Sequence, residues 1–293
     1  MRAAVVDIGS NTARLLVAEI RKGRIVPVRE ERVYLGLGAE ILHNGSVGAA
    51  KLAETAEVAR SFSKLARKSG ADELDVIVTA PGRQAGNPEE LLSTVARASG
   101  TVARILSARE EGELAYEGAL TGDDVGGRRV AVCDVGGGST EIVVGDGGRP
   151  SFWCASVDLG SLRLTAACLG DDPPSGKAIA AAEQLARDLF AEVEPPAAEL
   201  ALAVGGSARA LAKLVGPMLG EGELTTALGL AGAKRATKVA RAFGMDEQRA
   251  RVLPAGAIVL REAMRRLGRP LQLAHGGLRE AAVGRMLAES LAA

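Results

Sequence analysis

Residues 130–145 read VAVCDVGGGSTEIVVG. An apolar run leads into Asp134, and a second follows Glu141 after three consecutive glycines. Short β-branched runs bounded by turn residues read as strands. The stretch therefore predicts two strands joined by a turn over Gly136, Gly137, Gly138, Ser139 and Thr140. Glycine admits φ > 0, and a backbone without Cβ lets its N–H groups close on an anion. A carboxylate at the strand end, Asp134, then suits a hard cation that bridges to phosphate oxygens.

Residues 3–18, AAVVDIGSNTARLLVA, repeat the pattern: an apolar run, Asp7, a turn over Gly9, Ser10, Asn11 and Thr12, and a second apolar run. Asp7 and Asp134 stand 127 positions apart, and DVIVTAPG at 75 stands 125 positions before LALAVGGS at 200. The near-constant offset implies a duplicated chain with one phosphate loop per half. Two such loops facing each other across a cleft would clamp one phosphorylated ligand. The last strand and helix of each half lie further apart, ILSAREEGELA at 105 against QLAHGGLREAA at 272, so an insertion is expected near 213–255.

The paired strand, aspartate and glycine loop resemble the actin-like ATPase and sugar-kinase superfamily. That resemblance implies an α/β fold of duplicated actin-like (ribonuclease H-like) domains around a central cleft. More narrowly, DIGSNT at 7–12 with DVGGGSTE at 134–141 resembles the exopolyphosphatase/guanosine pentaphosphate phosphohydrolase (Ppx/GppA) family in a short two-domain form. TAPGRQAGN at 79–87, SAREEGELA at 107–115, DLGSLRL at 158–164, VGGSARALA at 204–212, LPAGAIVL at 253–260 and GGLREA at 276–281 follow in the family's order.

Composition bounds the rest. A length of 293 residues suggests two domains, expected at 1–121 and 122–293, with the last helix packing back towards the first. Apolar residues make up 47% but aromatics only 2%, so Leu, Val and Ala must fill the cores. The formal net charge is zero. A protein that binds a polyanion without a global positive field must concentrate its basic groups at the site. Three cysteines, Cys133, Cys154 and Cys168, show no paired spacing, and no secretory pattern opens the chain. A cytoplasmic protein with small buried thiols is expected. No run approaches the ~18 apolar residues of a membrane span, and neither membrane nor nucleic acid is an expected partner.

Along the chain, a third strand is expected at 24–32 and a glycine-rich loop at 34–46. Ser46 should cap a helix over 47–68, and Asn87 should cap one from Pro88 to Ser99. Strands are expected at 74–79 and 102–106, with a helix at 109–120. Residues 122–127 read as a linker. Strands then follow at 129–135, 140–145, 150–157, 200–204 and 270–274, with helices at 175–192, within 206–267, and from 277.

Acidic residues at a helix start, as in Glu110 and Glu111, are ordinary partners of the helix dipole. The resemblance implies more: Glu111 orients or deprotonates the attacking water, and Glu110 supports it. It makes Glu141 a second carboxylate near metal and water, and Arg83 a phosphate contact. Gly205, Gly206 and Ser207 occupy the matching loop of the second half, where bare N–H groups suit another phosphate. Asp7 and Asp134, at buried strand ends, need a cation or donors to offset desolvation, and Mg²⁺ is the cofactor expected. Arg163 and Arg279 are lesser candidates. His43 and His275 show no partner spacing. Two departures from the family pattern are Ala108 and Val78, each where glycine is usual.

The activity implied is hydrolysis of the terminal phosphoanhydride of inorganic polyphosphate, or of the 5′ γ-phosphate of guanosine pentaphosphate, by a homodimer. With one helix after the last motif, a distributive action on short chains is expected. An ATPase or sugar kinase of the superfamily, or a polyphosphate or alarmone sensor without turnover, are the alternatives.

Overall fold

The computed structural model describes residues 1–121 and 125–292. In chain order the elements are β1 Arg2–Ile8, β2 Thr12–Arg21, β3 Arg24–Tyr34, α1 Leu37–Asn44, α2 Ala49–Lys68, β4 Glu73–Val78, α3 Ala80–Gln84, α4 Pro88–Ser99, β5 Ala103–Ile105 and α5 Ala108–Leu120. There follow β6 Arg129–Val135, β7 Thr140–Asp146, β8 Ser151–Val157, α6 Ser161–Cys168, α7 Gly176–Leu189, β9 Leu200–Val204, α8 Gly205–Val215 and β10 Met218–Leu219. The chain closes with α9 Glu221–Gly232, α10 Ala236–Phe243, α11 Glu247–Arg251, α12 Leu253–Leu267, β11 Leu271–Leu273 and α13 Leu278–Ala292. Two compact units result: Met1–Leu114 with Leu278–Ala293, and Ala115–Gly277. The expected linker falls in part on residues 122–124, outside the described residues.

The first unit holds a five-stranded sheet in the order β3-β2-β1-β4-β5. β1 runs antiparallel to β2 and parallel to β4. Ala4, Val6 and Ile8 share a core with Leu52, Phe62, Leu91 and Val95 of α2 and α4. Ala3 and Val5 face the other way, onto Leu278, Ala282, Val283 and Leu287 of α13. Burial on both faces explains why β1 reads as a continuous apolar run without alternation. Asp7, two residues on from Val5, falls on the α13 face.

The second unit holds a six-stranded sheet in the order β10-β11-β9-β6-β7-β8. Ala131, Cys133 and Val135 of β6 pack with Ala182 and Ala186 of α7 and Ala257 and Leu260 of α12. Val130 and Val132 pack with Ala115, Tyr116 and Ala119 of α5. Asp134 continues that second row, so in each unit the strand-end aspartate lies on a helix-covered face of its sheet.

Several expectations give way. The supposed loop at 34–46 contains α1, bracketed by Gly36 at φ 67° and Gly45 at φ 72°. α2 begins at Ala49 after Gly48, with no side-chain cap from Ser46. Glu40 accepts from the Gly48 N–H at 3.3 Å instead. The Asn87 amide does not cap α4; it exchanges hydrogen bonds with both backbone groups of Val47 at 2.9 Å. Short helices α3 and α6, each placed just after a strand, were not separable from loop by periodicity. Of the thiols, only Cys133 is buried, while Cys154 and Cys168 are half-buried.

Candidate active site

Both glycine turns close in the same way. Gly9 N–H donates to the Thr12 carbonyl at 3.0 Å, and Gly136 N–H donates to the Ser139 carbonyl at 3.0 Å. Each turn is also braced by the helix that follows the third strand of its half. Leu35 and Gly36 N–H groups donate to the Asn11 carbonyl at 3.0 and 3.1 Å, and Gly38 N–H donates to Ser10 at 2.8 Å, where α1 begins. Ser161 N–H donates to the Gly136 carbonyl at 2.9 Å, and Leu162 and Arg163 N–H groups donate to Gly137 at 2.9 and 3.0 Å, where α6 begins. The free amides of a helix start need acceptors, and here the turn supplies them. The approach is close: a Cβ on Gly160 would stand 2.4 Å from the Gly137 carbonyl carbon.

The brace in the second unit continues inward. Ser161 Oγ donates to the Gly136 carbonyl at 3.2 Å, and Ser207 Oγ donates to Ser161 Oγ at 3.3 Å. Thr140 Oγ1 donates to the Leu159 carbonyl at 2.5 Å. The hydroxyls of Ser207 and Thr140 thus serve the turn's support. In the first unit, by contrast, Ser10 Oγ and Asn11 Nδ2 are buried without a hydrogen-bond partner. Buried donors in that condition are costly until a ligand accepts from them.

The two aspartates have different neighbours. Asp134 lies directly opposite Glu141 in the β6–β7 register, so the two carboxylates share one face. At the ~5 Å usual for opposed side chains, two such charges repel by about 3 kcal/mol at an effective dielectric of ~20. That repulsion favours a cation beside them. Asp134 Oδ1 also crowds Gly205, which opens α8 at φ 87°; a Cβ there would stand 2.3 Å from the oxygen. Only glycine satisfies both that dihedral and that approach. On the far side of Glu141, Ser156 Oγ donates to Glu141 Oε1 at 2.9 Å.

Asp7 instead lies opposite Arg14 in the β1–β2 register. Burial raises its pKa, Arg14 and Arg279 oppose that rise, and Glu280 adds to it. The net shift is upward, so burial outweighs the two arginines, which offset its cost only in part within the unit. Among the described residues no three His, Cys, Asp or Glu side chains gather as a metal site. A cation on the Asp134–Glu141 pair would draw its remaining ligands from phosphate and water, as Mg²⁺ commonly does.

Arg83 and Glu111 meet. Arg83 sits on α3, which rests on Ile105 at Gly82, where any Cβ would stand 2.8 Å from the isoleucine side chain. Its Nη1 donates to Glu111 Oε2 at 2.6 Å and to the Leu106 carbonyl at 2.9 Å. Glu111 is buried. Glu110, one residue earlier, is spent on capping. Its Oε2 accepts from Ser107 N–H at 2.9 Å and Ser107 Oγ at 2.7 Å, while Ser107 Oγ accepts from Glu110 N–H at 3.2 Å. This is a capping box. The Ser107 hydroxyl, then its amide, hold the Glu110 pKa below the ordinary value. Ala108 has no positive φ, so the missing glycine there causes no strain.

Residues 16–290 match the model of the Ppx/GppA phosphatase family. The chain belongs to that family. Exopolyphosphatase 1 of Mycobacterium tuberculosis is 31% identical over 308 residues, covering 98% of this chain and 88% of that protein. A crystal structure of the Aquifex aeolicus Ppx/GppA family member superposes with a TM-score of 0.80 at 25% identity, covering 100% of this chain and 98% of that one. An exopolyphosphatase from Cytophaga hutchinsonii shares the fold, with a TM-score of 0.88 at 17% identity over 99% and 98% of the two chains. The protein is thus a phosphatase with the α/β fold of this family.

In this Ppx/GppA phosphatase the other expected residues have plain surroundings. Arg279 lies 3.6 Å from Glu30 and 3.8 Å from Glu280 at the start of α13. Arg163 contributes its backbone to the α6 brace. His43 lies in the last turn of α1. Gly160 and Ser161 fall within the motif DLGSLRL; in each half a glycine directly precedes the short helix that follows the third strand, Gly36 before α1 and Gly160 before α6, and that parallel is the signal that exposes the brace. No helix among the described residues is long and apolar enough to cross a membrane.

Proposed function

We propose that this phosphatase removes the terminal phosphate of inorganic polyphosphate, with the 5′ γ-phosphate of guanosine pentaphosphate as a second substrate, and that it requires Mg²⁺. The name of the mycobacterial relative, Exopolyphosphatase 1, supports polyphosphate. The observation that carries the reading is the pair Asp134 and Glu141, directly opposed beside a braced glycine turn. Asp134, with Glu141 beside it, would hold Mg²⁺, which when bound neutralises phosphate charge and favours attack at phosphorus.

The chain's own residues do the rest. Ser10 and Asn11, whose buried donors lack partners, donate to phosphate oxygens, with Thr12 beside them and Gly9, whose amide closes the turn on the Thr12 carbonyl, shaping the loop. In the second unit Gly136 closes the turn on the Ser139 carbonyl, and Gly137, Gly138 and Ser139 present the turn's backbone to phosphate, as do Gly205 and Gly206 at the start of α8. Glu111 orients the attacking water and takes its proton, and Arg83 fixes the Glu111 carboxylate while countering phosphate charge. Thr140 and Ser207 support the turn through their hydroxyls. Asp7, opposed by Arg14, makes a weaker metal contact than Asp134. Catalysis of this kind is mostly placement and charge stabilisation.

The neutral net charge favours short chains, since no long-range field draws in a long polyanion. We also infer a cytoplasmic homodimer from the family resemblance, to be checked by light scattering. The deciding experiment compares phosphate release from long polyphosphate, short polyphosphate, guanosine pentaphosphate and ATP under one Mg²⁺ concentration. Release from polyphosphate, fastest on short chains, is expected. Turnover of ATP alone would replace the reading with an ATPase, and binding without release would make the protein a sensor.

A further inference from the structure

The cross-strand row on the acidic face of the second sheet runs Asp134, Glu141, Ser156, one residue each from β6, β7 and β8. We infer that Ser156 is a positioning residue, whose hydroxyl holds the Glu141 carboxylate in the orientation that serves the divalent cation. The inference rests on the role given to Glu141 above.

Three observations support it. Ser156 faces Glu141 directly in the β7–β8 register, and its Oγ donates to Glu141 Oε1 at 2.9 Å. Glu141 is only 1% exposed and has Asp134 on its other side. Like charge from Asp134 pushes the glutamate side chain away, and a donor on the opposite strand opposes that displacement. A hydrogen bond to an ionised acceptor is about twice as strong as a neutral one. Third, β8 is the edge strand of the sheet, and Ser156 itself is exposed. Its hydroxyl fills no packing need there, and the rest of the strand, Ser-Phe-Trp-Cys-Ala-Ser-Val, carries no charge that could replace it. Partners that orient a metal-adjacent carboxylate commonly matter by 10–100-fold in affinity or activity.

The test uses the full chain in three variants, Ser156→Ala, Ser156→Thr and Glu141→Gln, with Mn²⁺ as the probe. Free Mn²⁺ is counted by its electron paramagnetic resonance signal, and Mn²⁺ half-saturation of phosphate release is measured in parallel. Ser156→Ala is expected to raise both half-saturation values roughly tenfold. Ser156→Thr, which keeps the hydroxyl and suits a strand, is expected to restore them to within about threefold of wild type, a rescue within the usual spread for one hydrogen bond. Wild-type Mn²⁺ values in Ser156→Ala, alongside a defective Glu141→Gln, would overturn the positioning role and leave the reading of Glu141 standing. Wild-type values in Glu141→Gln would sink that reading itself. If the Thr variant fails as badly as Ala while both melt early, the serine serves folding and the inference is wrong.

Discussion

Arg83 Nη1 stands 2.6 Å from Glu111 Oε2, and the same nitrogen donates to the Leu106 carbonyl just before α5 begins. The residue expected to meet phosphate and the residue expected to meet water are therefore one ion pair. Their side chains are 20% and 11% exposed, so solvent screens the pair little. Removing one partner of a largely buried pair leaves the other uncompensated, at roughly 3–5 kcal/mol.

That geometry separates two substitutions. Glu111→Gln keeps an acceptor for Arg83 but loses the base. We predict turnover down ~10²–10⁴-fold, with substrate affinity by calorimetry near wild type and a fall in the urea midpoint smaller than that of Arg83→Met, because the amide oxygen still accepts from Arg83. Arg83→Met should lower unfolding free energy by roughly 3–5 kcal/mol as well as activity. Affinity lost in step with turnover in Glu111→Gln would make the glutamate structural.

The metal prediction follows from unequal neighbours. Asp134→Asn should regain turnover only at raised Mg²⁺, by analogy with the ~10–100-fold effects of residues around metals. Asp7→Asn, with Arg14 opposite, should need a much smaller increase. A Mg²⁺ titration of both variants decides it, and an equal or reversed order would move the main cation site to the first unit.

Much of this is legible in the residues alone. β1, β2, β6 and β7 were readable because both faces of their sheets are buried, leaving unbroken apolar runs around Asp7 and Asp134. Arg83, Glu111 and Glu141 were singled out through motif resemblance, since nothing in their spacing alone excludes a surface role. What could not be read was pairing across distance. That Asp7 faces an arginine while Asp134 faces a glutamate depends on strand register, and residue type alone leaves register open. The α1 and α6 helices were invisible for another reason: eight-residue helices carry too few turns for a 3.6-residue period to stand out.

Gly205 offers a sharper test of the second unit. Gly205→Ala places a Cβ 2.3 Å from Asp134 Oδ1 at φ 87°. The left-handed dihedral alone costs roughly 1–2 kcal/mol, and the carboxylate must also turn. We expect a modest fall in melting temperature with a larger rise in the Mg²⁺ needed for half-maximal rate. A variant that melts early but keeps its Mg²⁺ response would show that Asp134 is not held by this contact.

The capping box should show itself in acid. The folded pKa of Glu110 lies below its ordinary value of 4.5, so its contribution to stability is present above that pH. It is lost as pH falls through the depressed folded value. Ser107→Ala should cost about 1 kcal/mol at neutral pH. Urea midpoints for Glu110→Gln and wild type should differ at pH 7 and converge below 4.5. A difference that persists undiminished in acid would mean the carboxylate charge is not what caps α5.

The brace behind each glycine turn is built chiefly from peptide groups: amides of α1 or α6 on carbonyls of the turn. Contacts of that sort are indifferent to most side-chain substitutions, provided a glycine stands where the backbones touch. A gene duplication resting on such a scaffold leaves its two copies free to drift in charge without losing shape. One copy could then set an arginine against its aspartate while the other set a glutamate. Mutational scans should accordingly find the residues after β3 and β8 tolerant of chemistry, with glycine demanded at Gly160 by close contact and at Gly36 by its φ of 67°, a pattern that would trace the ancestral repeat where the letters no longer agree.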